Sequence, residues 1–310
     1  MNPPSVSLVL GSGGARGLAH IGVIEWLEKR GFDIRCIAGT SMGALVGGIY
    51  ATGRLGVYSD WVRALQRVDV LRLLDLSLSR HALFKGERII GVLREMIGEH
   101  DIGDLPVTFT AVATDIERQR EVWLNRGPLF DAIRASIAVP MVFSPVRLNG
   151  RLLVDGGVVN PMPIAPALND DTDLIIAVNL GGHAQGREQP GVSAPITSDE
   201  RARAQSSACS EGSVLAARIR GFIDSLWPED EPGGAQSPDL VMLMSRSMDC
   251  MQTTITRLRL AATSPDLVVE IPRDLCGFFE FYRAHELIEF GRAEAERQLG
   301  PVVGHWFDTG

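Results

Sequence analysis

The spacing of apolar residues divides the chain into short strand and helix pieces. Ser5 to Leu10 alternates, with Val6, Leu8 and Leu10 on one side, and stops at Gly11, which predicts a buried first strand. Beyond a glycine-rich loop, Leu18, Ile21, Ile24 and Leu27 fall at helical spacing and Gly31 supplies a stop, predicting a helix over 18–30. Residues 34–38 read as a second strand and 44–50 as a second helix. A right-handed crossover sets the two strands parallel and brings both following loops to one carboxyl edge of the sheet.

The same reading continues along the chain. Trp61, Leu65, Val68 and Leu71 predict a helix over 61–74, and Ile90, Leu93 and Ile97 one over 87–97. Strands are expected at 107–113 and 121–124, then a small-residue helix at 129–138 stopped by Pro140. Asn149-Gly150 suits a type I′ turn between strands 146–148 and 151–154. The nearly continuous apolar run 174–180 has the character of a central parallel strand. Residues 183–210 are polar and aperiodic, which predicts a long mobile surface loop, followed by a helix at 214–226 and an acidic linker at 228–238. The remainder reads as strand 240–244, helix 248–262, strand 267–271 and helix 284–299. No internal repeat is visible. The elements are expected to form one α/β domain over 1–310, with the part after about 228 extending the same sheet.

Composition narrows the partners. The 310 residues are 45% hydrophobic and 22% charged, ordinary for a globular enzyme, and the net charge is −8. That balance argues against nucleic acid and against strong general attraction to anionic membranes. Residues 61–88 nonetheless carry six basic against three acidic side chains, beside apolar Leu73, Leu74, Leu76, Leu78, Leu83 and Phe84. A lipid-meeting flap, and so peripheral membrane contact, stays open there beside the plainer reading of helices with arginines on the wet face. Only Lys29 and Lys85 among the 30 basic residues are lysines, which reflects genome composition before it reflects chemistry. Cys36, Cys209, Cys250 and Cys276 are scattered, with no Cys-x-x-Cys, so neither a zinc site nor a disulfide framework is expected. No basic residue precedes Arg16 and no long apolar span occurs, so a cytoplasmic protein without signal peptide or membrane helix is expected.

The candidate chemistry sits in the two loops at the carboxyl edge. Gly39-Thr40-Ser41-Met42-Gly43 lies between strand and helix, where a serine takes a strained positive φ and presents its hydroxyl to a ligand at a helix start. The facing loop is Gly11-Ser12-Gly13-Gly14-Ala15-Arg16-Gly17. As a dinucleotide fingerprint it fails, because Arg16 occupies the sixth position and no acid ends the second strand; a phosphate-binding loop of the Gly-Lys-Ser/Thr type is absent. An oxyanion hole built from the amides of Gly13 and Gly14 fits, and a purely structural turn also does. A third element, Asp155-Gly156-Gly157, leaves the 151–154 strand with a carboxylate little shielded by neighbouring bulk, although an Asp-Gly turn has the same spelling. A histidine relay would have to come from His183, His285 or His305 after Asp155, or from His20 inside the first helix.

Taken together, residues 11–17, 39–43 and 155–157 resemble the patatin-like phospholipase family, and Ala135 to Pro140 is similar to a further block of it. The likeness spans roughly residues 6–180. Ser12 stands where the family often has a third loop glycine. The resemblance implies a three-layer α/β/α fold with a mostly parallel central sheet and lipid acyl hydrolysis by a serine–aspartate dyad. Carried over, Ser41 is the nucleophile and Asp155 its partner. Gly13, Gly14, Ala15 and Arg16 form the oxyanion loop, with Gly11, Gly17, Gly39, Gly43, Gly156 and Gly157 shaping the motifs. The implied substrate is a lipid or other acyl ester, with no cofactor and no metal. The competing readings are a non-hydrolytic lipid-binding or regulatory protein with the same pocket and a nucleotide-binding α/β protein.

Overall fold

The computed structural model of the chain describes residues 4–73, 82–168, 170–184 and 240–307. Its strands are β1 (Ser5–Leu10), β2 (Asp33–Thr40), β3 (Ala82–Phe84), β4 (Thr108–Asp115), β5 (Arg120–Leu124), β6 (Met141–Phe143), β7 (Val146–Leu148), β8 (Arg151–Asp155), β9 (Leu174–Gly182) and β10 (Leu267–Pro272). The helices are α1 (Ala19–Lys29), α2 (Met42–Ala51), α3 (Leu55–Ala64), α4 (Arg67–Leu73), α5 (Glu87–Ile97), α6 (Leu129–Ser136), α7 (Leu240–Ala262) and α8 (Ala284–Phe307). One mixed sheet runs in the order β10-β9-β1-β2-β4-β8-β7, with β5 also paired to β4. From β10 to β4 it is parallel; β5, β8 and β7 pair antiparallel.

Alternation along β1 builds the two faces. Val6, Leu8 and Leu10 turn to one side, where they join buried residues of α1, α2 and α8 such as Ile21, Val46 and Leu287. Val9 turns to the other, with Ala38, Ala177, Met162 and Ile164, and Leu260 of α7 covers them. The result is the three-layer α/β/α arrangement that the motifs implied, with the core on both faces of the sheet.

Register then brings distant residues level. Leu10 pairs with Gly39, so the loop after β1 and the turn after β2 leave the sheet side by side. Thr40 pairs with Val112 of β4, and the next residue, Ala113, pairs with Asp155 on β8. Ser41 and Asp155 therefore stand at the same level on either side of β4.

The observed boundaries differ from the expected ones in identifiable ways. The glycine loop is itself helical: a 3-10 turn, Gly14–Leu18, runs directly into α1. The single helix expected over 61–74 is two, because Leu65 adopts extended backbone (ψ 129°) and Asp69 accepts the Gln66 amide at 3.1 Å, starting α4 anew. Arginines of this segment are engaged with the body: Arg63 contacts Glu289 and His285, and the Arg67 guanidinium lies 4.5 Å above the Tyr282 ring. The strand expected at 240–244 is overturned; these residues form the first turns of the 23-residue α7. A five-residue apolar run does not separate strand from helix, and within the helix the Ser247 hydroxyl bonds back to the Leu243 carbonyl at 2.8 Å. The small parallel pair β3–β6 was not anticipated, since three-residue strands leave no period to read. The loop expected at 183–210 falls outside the described residues beyond 184, as do the helix at 214–226 and the linker at 228–238. Among the described residues, no helix is long and apolar enough to cross a membrane.

Candidate active site

Ser41 sits between β2 and α2 with φ 57° and ψ −123°, a conformation an L residue holds only when its surroundings impose it. The surroundings here are tight. A Cβ on Gly43 would stand 2.6 Å from the Leu10 carbonyl carbon, so only glycine lets the start of α2 pass the end of β1. The Ser41 amide donates to the Ser136 hydroxyl at 3.0 Å, and that hydroxyl donates to the Val112 carbonyl at 2.6 Å. The Ser41 side chain caps no amide of its own helix, and the positive end of α2 stays open beside it.

The glycine loop lies against this turn. Gly17 has no side chain because Met42 Cβ occupies the space where one would project. Within the loop, Gly11 donates its amide to Val178 O at 3.1 Å, Ser12 to Pro161 O at 2.9 Å and Ala15 to Phe278 O at 2.9 Å. That leaves the amides of Gly13 and Gly14 as the unspent ones among the described residues, Gly14 in the left-handed region at φ 56°. Arg16 is buried and braces the loop from behind: Nε donates to Gly13 O at 3.2 Å, Nη1 to Arg273 O at 2.5 Å and Nη2 to Asp249 at 2.9 Å. His20, fully buried, bonds Gly11 O through Nε2 at 2.9 Å; burial pushes its pKa down to about 4, so it is a neutral brace.

Asp155 leaves β8 fully buried. Its amide donates to Ala138 O, Thr114 Oγ1 donates to its carbonyl, and its Oδ1 accepts the Gly157 amide at 2.6 Å. Burial raises its pKa to about 7, while the Ser41 hydroxyl and the Gly157 amide pull the other way by favouring the charged form. The hydroxyl is thus close enough to act on the carboxyl, yet Oδ2 has no hydrogen-bond partner of ordinary geometry.

Among the described residues, no histidine side chain is bonded to Ser41 or Asp155. His183 is exposed, and His285 bonds Arg63 at 2.9 Å; neither is bonded to Asp155 or Ser41. The side chain of His305 lies outside the described residues. Gly39 and Gly156 hold the backbone close on either side, against Gly43 and Val112. No group of His, Cys, Asp and Glu able to hold a metal occurs among the described residues.

Three contributors escaped the sequence reading. Ser136 fixes the Ser41 amide, Phe278 takes the Ala15 amide, and α7 reaches the site through Asp249 and Gln252. Ser136 falls in the small-residue helix and in the Ala135 to Pro140 block without a role assigned to it; Phe278 and Gln252 carry no local signal at all.

A mostly parallel three-layer sheet with an elbow serine, a Gly-Gly loop and a buried aspartate at its carboxyl edge defines an α/β protein of the serine-elbow type. Residues 8–168 match the family model described as patatin-like phospholipase, and the chain belongs to that family. It is 39% identical to an uncharacterized NTE family protein of Mycobacterium tuberculosis, covering 96% of this chain and 91% of that one. The lysophospholipase nte1 of Emericella nidulans is 31% identical over 57% of this chain, the match occupying 12% of that longer protein. Among solved structures, VipD of Legionella pneumophila aligns with 97% of this chain at 13% identity and a TM-score of 0.47.

Proposed function

We propose that the chain is a serine acyl hydrolase acting on fatty acyl esters of lipids, a phospholipase A or lysophospholipase in reaction type. The observation that carries the reading is the buried, strained Ser41 held beside a carboxylate whose pKa lies near 7. Family membership and the printed activity of the nte1 relative agree with a lipid hydrolase.

In the reaction, Ser41 Oγ attacks the ester carbonyl and passes its proton to Asp155 Oδ2, the oxygen with a free valence for it. An ordinary aspartate, with a pKa near 3.9, is too weak a base for this; one raised to about 7 is matched to neutral pH. The carbonyl oxygen becomes an oxyanion facing the Gly13 and Gly14 amides and the positive end of α2, each good donor stabilising it by roughly 2.7–4 kcal/mol. Ala15 leaves the donor set expected from the motif, since its amide is held by Phe278, and Arg16 acts by holding the loop. Collapse of the intermediate returns the proton to the departing alcohol and leaves an acyl-enzyme on Ser41. Water, deprotonated by Asp155, then releases the fatty acid.

The test is release of fatty acid from lysophosphatidylcholine and of nitrophenol from a short p-nitrophenyl ester by wild type, Ser41→Ala and Asp155→Asn. Loss of about 10³-fold or more in both variants, with fluorophosphonate labelling abolished by Ser41→Ala, is expected. Undiminished turnover in either variant overturns the dyad.

A further inference from the structure

Asn160, a few residues beyond Asp155, meets both halves of the candidate dyad through its backbone. Its amide donates to the Gly156 carbonyl at 2.8 Å, one residue past Asp155. Its carbonyl accepts the Thr40 hydroxyl at 2.9 Å, one residue before Ser41. The next carbonyl, Pro161 O, accepts the Ser12 amide at 2.9 Å and so reaches the glycine loop. Asn160 and Pro161 between them tie together the three loops at the carboxyl edge of the sheet. A proline after Asn160 disfavours helical backbone there, which helps to aim its carbonyl away from the Gly156 turn. Thr40, Asp155 and Asn160 are all buried, so each of these bonds is shielded from water.

The Asn160 side chain has one anchor. Nδ2 donates to Glu121 Oε2 at 2.7 Å, while Oδ1, also buried, has no hydrogen-bond partner among the described residues. Glu121 lies on β5, paired across to Thr114 of β4. Alternation sends Val122 into the core and leaves Glu121 and Trp123 on the opposite face. There the carboxylate is held from two further sides: Oε1 accepts Trp123 Nε1 at 3.0 Å, and Oε2 accepts Arg259 Nη2 of α7 at 3.1 Å. The Glu121 side chain is 23% exposed, yet the bond it accepts from Asn160 is charge-assisted and reaches into the buried junction. The reverse orientation of the amide would set its oxygen against a carboxylate, so the donor assignment follows from the pair.

We propose that Glu121 is a positioning residue for the reaction, holding Asn160 so that Asn160 keeps Ser41 and Asp155 in reach of one another. The inference rests on the acyl-hydrolase reading and adds no group that touches the substrate. Without the anchor Asn160 turns, and its bonds to Gly156 and Thr40 loosen together. The loss falls on proton transfer from Ser41 to Asp155, which needs heavy atoms within about 2.6–3.2 Å, and not on ester binding. What the junction requires of Glu121 is a hydrogen-bond acceptor; its charge and its pair with Arg259 are dispensable.

The experiment compares Glu121→Ala, which removes the acceptor, with Glu121→Gln, which keeps an amide oxygen for Asn160 and removes the charge. Steady-state kinetics on a short p-nitrophenyl ester should show kcat lowered about tenfold to 10²-fold in Glu121→Ala, with KM changed less than about twofold. Glu121→Gln should recover kcat to within about threefold of the parent. Asn160→Asp sets two carboxylates face to face and should lose as much as Glu121→Ala. Combined with Glu121→Gln, whose amide then donates the bond, it should be rescued. Parent-like kcat in Glu121→Ala overturns the proposal, and so does an equal loss in Glu121→Ala and Glu121→Gln. Should Glu121→Ala melt below the assay temperature, the combined variant decides: folded but still about tenfold or more below Glu121→Gln, it overturns the bond. A second readout needs no turnover. The Asp155 carboxyl is titrated by carbon-13 NMR in aspartate-labelled protein, with Asp155→Asn assigning the resonance. Its midpoint should fall by about one pH unit or more in Glu121→Ala relative to Glu121→Gln, as the loosened carboxyl gains water. A parent that hydrolyses no ester sinks the hydrolase reading, and the titration then still decides the anchor. An active parent whose kcat and midpoint are shared by every variant sinks the anchor alone.

Discussion

Ser136 and Ser41 are joined by one hydrogen bond of 3.0 Å, amide to hydroxyl, and the same hydroxyl passes on to Val112 O at 2.6 Å. The link runs from the end of α6 through the elbow to β4, and all three groups are buried. Replacing Ser136 by Ala leaves the buried Ser41 N–H without this partner and takes one hydrogen bond from the Val112 C=O, costing about 1–3 kcal/mol. Relaxation of φ at Ser41 then moves Oγ away from Asp155. We expect Ser136→Ala to lower kcat about tenfold or more with KM changed less than twofold, and to lower the melting temperature. Steady-state kinetics beside a thermal melt checks it; wild-type kcat would show that the elbow holds its own geometry.

The Asp155 carboxyl, raised to about 7 by burial, predicts the pH dependence of the rate. In the proposed mechanism the charged form is the base, so kcat/KM should climb tenfold per pH unit below about 7 and level off above it. Asp155→Asn should remove this limb along with the activity. A profile flat from pH 5 to 8 would mean that no group of this pKa takes the proton.

Stability moves the opposite way with pH. Because the folded pKa lies above the unfolded value near 3.9, the native state holds a proton that the unfolded chain has lost between about pH 4 and 7. Its contribution to stability is therefore full below pH 4, declines as pH rises to 7 and is gone above that. The upper bound is about 4 kcal/mol for a shift of roughly three units. Asp155→Asn should accordingly raise the melting temperature more at pH 8 than at pH 4. Equal effects at both values would mean the carboxylate is solvated in the folded chain.

How much of this was readable beforehand follows from range. The elbow and the loop are local: a strand period, a run of glycines and a helix period lie within residues 5–51, and the βα crossover rule alone places them side by side. Asp155 was visible as a candidate because its hairpin has a strong turn signal, but its level with Ser41 depends on the Val112–Ala113 register of β4, which no local pattern encodes. The contributions of Ser136, Phe278 and α7 are contacts across 95, 263 and more than 200 residues, made by side chains of ordinary type. The misread strand at 240–244 has the same origin, since a short apolar run takes its form from what it packs against.

Close approach gives a steric prediction. Gly17 leaves room for Met42 Cβ, and Gly43 for the Leu10 carbonyl. The obstacle at Gly17 is a Cβ and at Gly43 is backbone, so neither can swing aside. Gly43→Ala should fail to fold or lose about 3 kcal/mol or more. Gly17→Ala should fold but push the loop from the elbow, lowering kcat and the melting temperature together. Far-ultraviolet circular dichroism and fluorophosphonate labelling rate separate the two outcomes, and normal labelling of Gly17→Ala would show that the loop has slack.

Arg16 and Asp249 form an ion pair whose two ends differ in worth. The arginine side chain is 8% exposed and the aspartate 41%, so the pair itself is largely screened and worth about 0–1 kcal/mol. The other bonds of Arg16, to Gly13 O and Arg273 O, lie deeper and tie the glycine loop to the chain after β10. Hydrogen bonds from a charged donor contribute roughly 1.5–3 kcal/mol each. Asp249→Asn should therefore cost less than fivefold in kcat/KM, whereas Arg16→Gln should cost on the order of 10²-fold, equally on charged and uncharged esters. The equal loss is the discriminating part, since a brace acts on every substrate and a phosphate ligand on phosphate-bearing ones alone. A loss confined to lysophospholipid would instead make Arg16 a headgroup ligand, and side-by-side kinetics on the two ester types decides between them.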